Sequence, residues 1–314
     1  MTLNPNINKL NNNTQQSYRH MKIAFFGKSL EPAFIENFRL LIGILEAKAT
    51  EFLVFEPFYK KMQGLIEFKK PVNVIKPGQL PDKDTYCMIS LGGDGTLLDT
   101  ITIIQDSGIP VLGINTGRLG FLSAISTDEI AYAANAIISG DYTIDRRAML
   151  QLSSPADIFK DFNYALNELT VLKRDNSTMI SISAYVDDLF LNTYWADGLI
   201  VATPTGSTGY SLSCGGPIIS PESQNFVITP IATHNLTVRP IVIPDNSTVK
   251  LRISGRTQDY LVVLDSRSKP LSTTTELIIK KASFSINLVC IGQKDFYKTI
   301  RNKLAWGLDK RNRG

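Results

Sequence analysis

Apolar residues repeat with two different periods along this 314-residue chain, and the change near residue 146 constrains the fold more than any other feature. Ahead of it, short apolar runs at Lys22–Gly27 (KIAFFG), 52–55 (FLVF), Val72–Ile75, Cys87–Leu91 (CMISL) and 110–114 (PVLGI) alternate with helical spacing over 32–48 and 96–105. Such runs are strands buried on both faces, and their alternation with helices predicts a parallel sheet with helices on either side. A helix over 127–140 closes this part, with Thr127 as the expected cap and Gly140 as the stop. Ile130, Ala133, Ala134, Ile137 and Ile138 form its apolar stripe.

Beyond 146 the period falls towards 2. The segments 249–253 (VKLRI) and 284–288 (FSINL) alternate apolar with polar residues, and Asp187-Asp188 is placed to turn a hairpin between two strand-like runs. Helical spacing returns only over 296–306. The expected fold is an α/β N-terminal domain with an open, mostly parallel sheet, followed by a β-rich C-terminal domain. The residues alone leave open which domain the closing helix joins.

Apolar residues make up 43% of the chain and charged residues 20%, the balance of a soluble globular protein with a full core. The net charge of +4 is scattered, which predicts no nucleic-acid groove and no membrane surface but is compatible with an anionic substrate. No apolar run approaches the ~20 residues that span a bilayer. Residues 1–20 are rich in Asn and Gln without an apolar centre, so they read as a disordered leader rather than a signal peptide, with Met21 as a second start. Cys87, Cys214 and Cys290 are odd in number and form no CxxC pair, which fits a reduced, cytoplasmic setting; with two histidines in the chain, a structural zinc site is not expected.

The sharpest local signal is Gly92-Gly93-Asp94-Gly95-Thr96, directly after CMISL and before a helical pattern. Glycines at a strand's end let backbone N–H groups approach an anion, and the helix N-terminus behind them favours negative charge. An aspartate in a phosphate loop either holds a divalent metal, accepts the proton of an attacking hydroxyl, or merely caps the helix. Two look-alikes fail. Gly27-Lys28-Ser29 lacks the first glycine of a P-loop, and Gly113, Gly117 and Gly120 do not have the GxGxxG spacing, so a chance cluster of glycines is the default there. Even so, 115–121 (NTGRLGF) follows a strand on the sheet edge where ligands of open α/β sheets bind.

The second cluster runs through 197–213 (DGLIVATPTGSTGYSLS), where hydroxyls and backbone donors suit ribose and phosphate and Tyr210 offers a stacking face; the alternative is a Ser/Thr-rich hairpin loop. It has no GxSxG elbow, which disfavours a serine hydrolase. Asn167-Glu168 interrupts a strand-like run, either to meet a ligand's hydroxyls or, by the commoner arrangement, on a solvated strand face. His234 reads as structural.

In their order, GGDGT at 92–96, NTGRLGF at 115–121, NE at 167–168, DGLIVATPTGSTGYSLSCGGPII at 197–219, HNLTVRPIVI at 234–243 and FYKTIRNKLAWG at 296–307 resemble the NAD kinase family. The resemblance implies domains over 21–146 with 291–314, and over 147–290, so that the C-terminal tail completes the first. It implies transfer of a phosphoryl group from ATP or another phosphoryl donor, with Mg²⁺ or another divalent metal, to the adenosine ribose 2′-hydroxyl of NAD. Asp94 would orient and deprotonate that hydroxyl, with Gly92, Gly93, Gly95 and Thr96 near the donor phosphates. Asn167 and Glu168 would contact the ribose. Asp197, Thr205, Thr208, Gly209, Tyr210, Ser211, Leu212 and Ser213 would complete the NAD pocket, with Phe121 in its wall. A homo-oligomer is expected. The chain departs from the family pattern at Arg118, Trp195, Gly209, Cys214 and the triplet Asp265-Ser266-Arg267. The rival readings are a lipid or sugar-phosphate kinase with a similar glycine loop, and a dinucleotide sensor without turnover.

Overall fold

The computed structural model describes residues 21–117, 120–123, 125–160, 162–174, 179–256, 258–292 and 295–306. The expected leader over 1–20, Arg118 and the tail beyond Trp306 lie outside them. Among the described residues the chain forms two units, 21–143 with 289–292, and 144–288 with 295–306.

In unit 1, strands β1 (Lys22–Gly27), β2 (Glu51–Phe55), β3 (Val72–Ile75), β4 (Cys87–Leu91) and β5 (Val111–Ile114) pair in parallel in the order β3-β2-β1-β4-β5. Helices α1 (Ile35–Leu45), α2 (Glu56–Met62), α3 (Asp94–Ile104) and α4 (Ile130–Ser139) connect and cover them. Phe25, Cys87 and Ile89 point into one core with Phe38 and Leu41 of α1 and Ala133 and Ile137 of α4. The alternate residues face α3: Ser90 Oγ accepts a hydrogen bond from Thr100 Oγ1 at 2.8 Å. Burial on both faces is why β4 and β5 are uninterrupted apolar runs. The strand order reverses between β1 and β4, so the loop after β4 opens at the switch point of the sheet, where open α/β sheets bind ligands.

Two local expectations shift. The helix expected over 127–140 begins as a 3₁₀ turn, and its cap is Ser126 rather than Thr127, because Ser126 donates its N–H and hydroxyl to Glu129 at 2.9 and 2.8 Å. Helix α2, which starts at Glu56-Pro57, was too short to show a period.

Unit 2 holds β6 (Thr143–Ser154, entering from unit 1), β7 (Tyr164–Ala165), β8 (Glu168–Lys173), β9 (Ile180–Val186), β10 (Leu189–Ala196), β11 (Gly198–Ala202), β12 (Asn225–Ile231), β13 (Ile241–Pro244), β14 (Val249–Ser254), β15 (Asp259–Leu264), β16 (Arg267–Ser272) and β17 (Leu277–Cys290). One sheet runs β13-β12-β11-β8-β15-β16, antiparallel throughout; the strands β10-β9-β14-β17, with β6 beside β17 and β7 beside β6, form the other. Asp187 and Asp188 turn the β9–β10 hairpin with φ of 50° and 66°. Alternate residues from both sheets, among them Val171, Leu199, Val201, Ile182, Leu251 and Ile279, fill one core. The other face of β11 is also buried, Ile200 and Ala202 packing with Ile219 and Val227, which accounts for its continuous GLIVA run.

Residues 289–292 group with unit 1, where Val289 joins the core. Helix α6 (Phe296–Leu304) groups with unit 2, where Phe296, Tyr297 and Ile300 line a cavity with Ile218 and Ser220.

Candidate active site

In unit 1, β4 passes directly into the glycine loop. Gly92 has φ +147°, and a Cβ there would meet Thr96 Oγ1 at 2.4 Å, so only glycine fits. Its N–H donates to Ile114 O at 2.9 Å, tying the loop to the end of β5. Gly93 caps α3, and Asp94 and Gly95 open its first turn, where helix geometry leaves N–H groups without intrahelical acceptors. A Cβ on Gly93 or Gly95 would meet nothing within 4 Å, so no side chain crowds the loop at these positions.

The Asp94 carboxylate does not cap its own helix but turns to the segment after β5. Its Oδ2 accepts the Phe121 N–H at 2.7 Å, and its Oδ1 accepts those of Leu122 and Ser123 at 3.0 Å each. Gly120 lies against the same carboxylate: a Cβ on it would fall 1.8 Å from Oδ1. The glycines after β5 are therefore not a chance cluster. Gly113 accommodates Leu97 of α3 and the Ser123 backbone, and Gly120 accommodates Asp94. A carboxylate offers about four lone-pair sites, and three are filled by amides, leaving acceptor capacity on Oδ2.

A second carboxylate repeats the pattern in unit 2. Asp265, in the β15–β16 turn with φ +53°, accepts the N–H groups of Leu166, Asn167 and Glu168 at 2.8, 2.8 and 3.2 Å. Burial pushes the Asp265 carboxyl above its ordinary range, against the pull of those amides and of Arg267. Asn167 and Glu168 are thereby held beside the hydroxyl-rich segment. The Thr203 N–H donates to Asn167 O at 2.9 Å and its hydroxyl to Leu166 O at 2.5 Å. A Cβ on Gly206 would stand 2.1 Å from Asn167 O.

The pair does not lie on a solvated strand face. Glu168 Oε2 is buried without a hydrogen-bond partner among the described residues. Burial first, and then the charge of Asp265, push the Glu168 carboxyl up to about 8. The nearest atom to a Cβ built on Gly209 is that orphaned oxygen, at 3.1 Å, so the missing side chain leaves a gap over it. A buried polar atom without a partner calls for a ligand group to satisfy it.

Residues 203–213 are not a hairpin loop but a 3₁₀ turn, Gly206–Thr208, followed by one helical turn, Tyr210–Ser213. Several of its hydroxyls face inward. Ser207 Oγ donates to Pro204 O at 2.7 Å, Thr205 is buried, and Ser211 Oγ shares a hydrogen bond with Thr229 Oγ1 at 2.8 Å. Ser211, expected in the pocket, is fully buried and anchors the turn to β12 instead. Thr208, Gly209 and Leu212 are half-buried, while Tyr210 and Ser213 are exposed. Partial desolvation pushes the Tyr210 phenol up, with smaller contributions from Cys214 and Asp197. Asp197 lies at the other end of β11 from Thr203, with Lys173 Nζ at 2.6 Å from its carboxylate.

The glycine loop in unit 1 and the NE and TPTGST segments in unit 2 thus each form a compact constellation. The ATP-NAD kinase N-terminal domain matches residues 73–142 and the ATP-NAD kinase C-terminal domain matches 166–291. The chain belongs to the NAD kinase family. It is 43% identical over 301 residues to an NAD kinase of Cytophaga hutchinsonii, and 46% identical over 297 residues to one of Flavobacterium psychrophilum; each alignment covers 93% of this chain and 100% of the relative. Among solved structures, an NAD kinase from Archaeoglobus fulgidus in complex with ATP superposes with a TM-score of 0.67 at 25% identity, covering 91% of this chain and 99% of that one. Yeast NADH kinase complexed with NADH shares the fold, with a TM-score of 0.81 at 23% identity over 94% of this chain and 90% of that one. Membership makes the chain an enzyme, an NAD kinase, that phosphorylates NAD to NADP.

In the sequence, Asp265 stood out only as part of a triplet that departs from the family pattern. Its partners lie 97 to 99 positions away, so no local spacing could have marked it.

Proposed function

We propose that phosphoryl transfer from ATP to the 2′-hydroxyl of NAD is organised by two carboxylate-braced constellations, one in each unit. The open N-terminus of α3 at Gly93–Gly95 would receive donor phosphate oxygens. Asp94 would use its remaining acceptor site to align the 2′-hydroxyl and take its proton as charge develops. Phosphoryl transfer is catalysed mainly by positioning and charge stabilisation, so alignment carries the role more than basicity. Asn167 and Glu168 would meet ribose hydroxyls, a reading carried by the orphaned Glu168 Oε2. Thr208, Tyr210 and Ser213 would contact the rest of the dinucleotide, with Tyr210 as a stacking face.

Among the described residues, no group of three His, Cys, Asp or Glu side chains is placed to hold a metal. A magnesium ion that arrives on the donor's phosphates needs no such cage. Exposed Leu189, Phe190 and Trp195 on the edge strand β10 support a homo-oligomer. The odd number of cysteines, Cys87, Cys214 and Cys290, supports a reducing, cytoplasmic setting. No helix among the described residues is long and apolar enough to cross a membrane.

Calorimetric titration of NAD into folded Asp94→Asn, paired with an assay for NADP, tests the division of labour. Binding should persist while turnover falls by orders of magnitude. Turnover close to wild type would remove Asp94 from the chemistry.

A further inference from the structure

Arg147, on β6, is buried to 4% exposure in unit 2. Its Nε donates to Asp145 Oδ2 at 2.7 Å and its Nη1 to Thr205 Oγ1 at 3.0 Å. Burying a guanidinium is costly, and a buried Arg–carboxylate pair stabilises a fold little more than apolar residues of the same volume. What the guanidinium supplies is geometry, a rigid planar fork that fixes two partners at once. Thr205 is the residue from which the 206–208 turn starts, and its carbonyl accepts the Thr208 hydroxyl at 3.2 Å. The other ties of this segment, through Thr203, Ser207 and Ser211, join neutral groups. The bond from Arg147 is charge-assisted and belongs to the stronger class.

We propose that Arg147 is a positioning residue for the dinucleotide: acting through Thr205, it fixes the turn that presents Thr208, Tyr210 and Ser213. This rests on reading 203–213 as part of the NAD site. Arg147 is kept out of contact with the substrate by its burial, so its influence passes through the turn and is specific to NAD.

The test compares Michaelis constants for NAD and for ATP in Thr205→Val, Arg147→Lys, Arg147→Met and the double variant Arg147→Met/Thr205→Val, with Tyr210→Ala as a reference. Losing a hydrogen bond to a charged group should raise the KM for NAD about tenfold or more in Thr205→Val and Arg147→Met, with the KM for ATP unchanged. The double variant should be no worse than the worse single one. Arg147→Lys keeps a charge without the fork and should fall between. If Arg147→Met does not fold, Thr205→Val decides, since it leaves the Arg147–Asp145 pair in place. A folded Thr205→Val with wild-type KM for NAD, or single effects that multiply in the double variant, would overturn the proposal. If Tyr210→Ala raises the KM for NAD and Thr205→Val does not, this inference alone fails. If neither does, the turn is not the NAD site.

Discussion

Replacing Glu168 by glutamine keeps the shape of a buried side chain and removes its ionisation, so the effect on stability is set by pH. In the folded protein the Glu168 carboxyl titrates at about 8 instead of its ordinary 4.5. Below pH 4.5 both folded and unfolded chains carry the proton, and the group contributes nothing to pH dependence. From there to pH 8 the unfolded chain loses the proton while the folded one keeps it, so stability falls as pH rises. At about 1.4 kcal/mol per pH unit, the loss reaches roughly 3 kcal/mol at pH 7 and, as an upper bound, roughly 5 kcal/mol at pH 8. Glu168→Gln escapes this loss. Thermal melts of both proteins without ligand, from pH 5 to pH 9, should show a difference that grows to pH 8 and then levels. At pH 7 it should amount to about 6–12 °C in Tm. A difference that stays constant across that range would refute the burial of an unpartnered carboxyl.

Asp94→Asn removes an acceptor for the amides of 121–123, so besides losing turnover it should destabilise unit 1 by about 1–3 kcal/mol, measurable by denaturant titration. Gly120→Ala puts a methyl group into the Asp94 carboxylate and should abolish NADP formation while circular dichroism stays native. Asp265→Asn should loosen Leu166–Glu168 and raise the KM for NAD more than that for ATP; an unchanged KM for NAD would show that the backbone there holds itself.

The period change near residue 146 was enough to separate the parallel α/β unit from the β-rich one, because two-face burial and one-face burial leave different apolar patterns in a strand. Asp94 and its glycines were also readable, since a strand, a glycine loop and a helix start lie within a few residues. What Asp94 holds was not readable. Its carboxylate bonds are made to backbone amides, which carry no side-chain signature, at positions 27 to 29 residues away. The same holds for Asp265, whose partners are backbone amides 97 to 99 residues away; Arg147 could not be told from its neighbour Arg146, which is exposed, because nothing local marks which of the two is buried. Inward-facing hydroxyls such as Ser211 could not be told from outward ones, because the short turns of 206–213 have no period to assign a face.

The central claim is tested most directly by incubating the purified protein with ATP, Mg²⁺ and NAD and following NADP with an NADP-specific dehydrogenase. The account predicts steady formation of NADP that depends on both ATP and NAD. A folded protein that binds NAD but forms no NADP would contradict it.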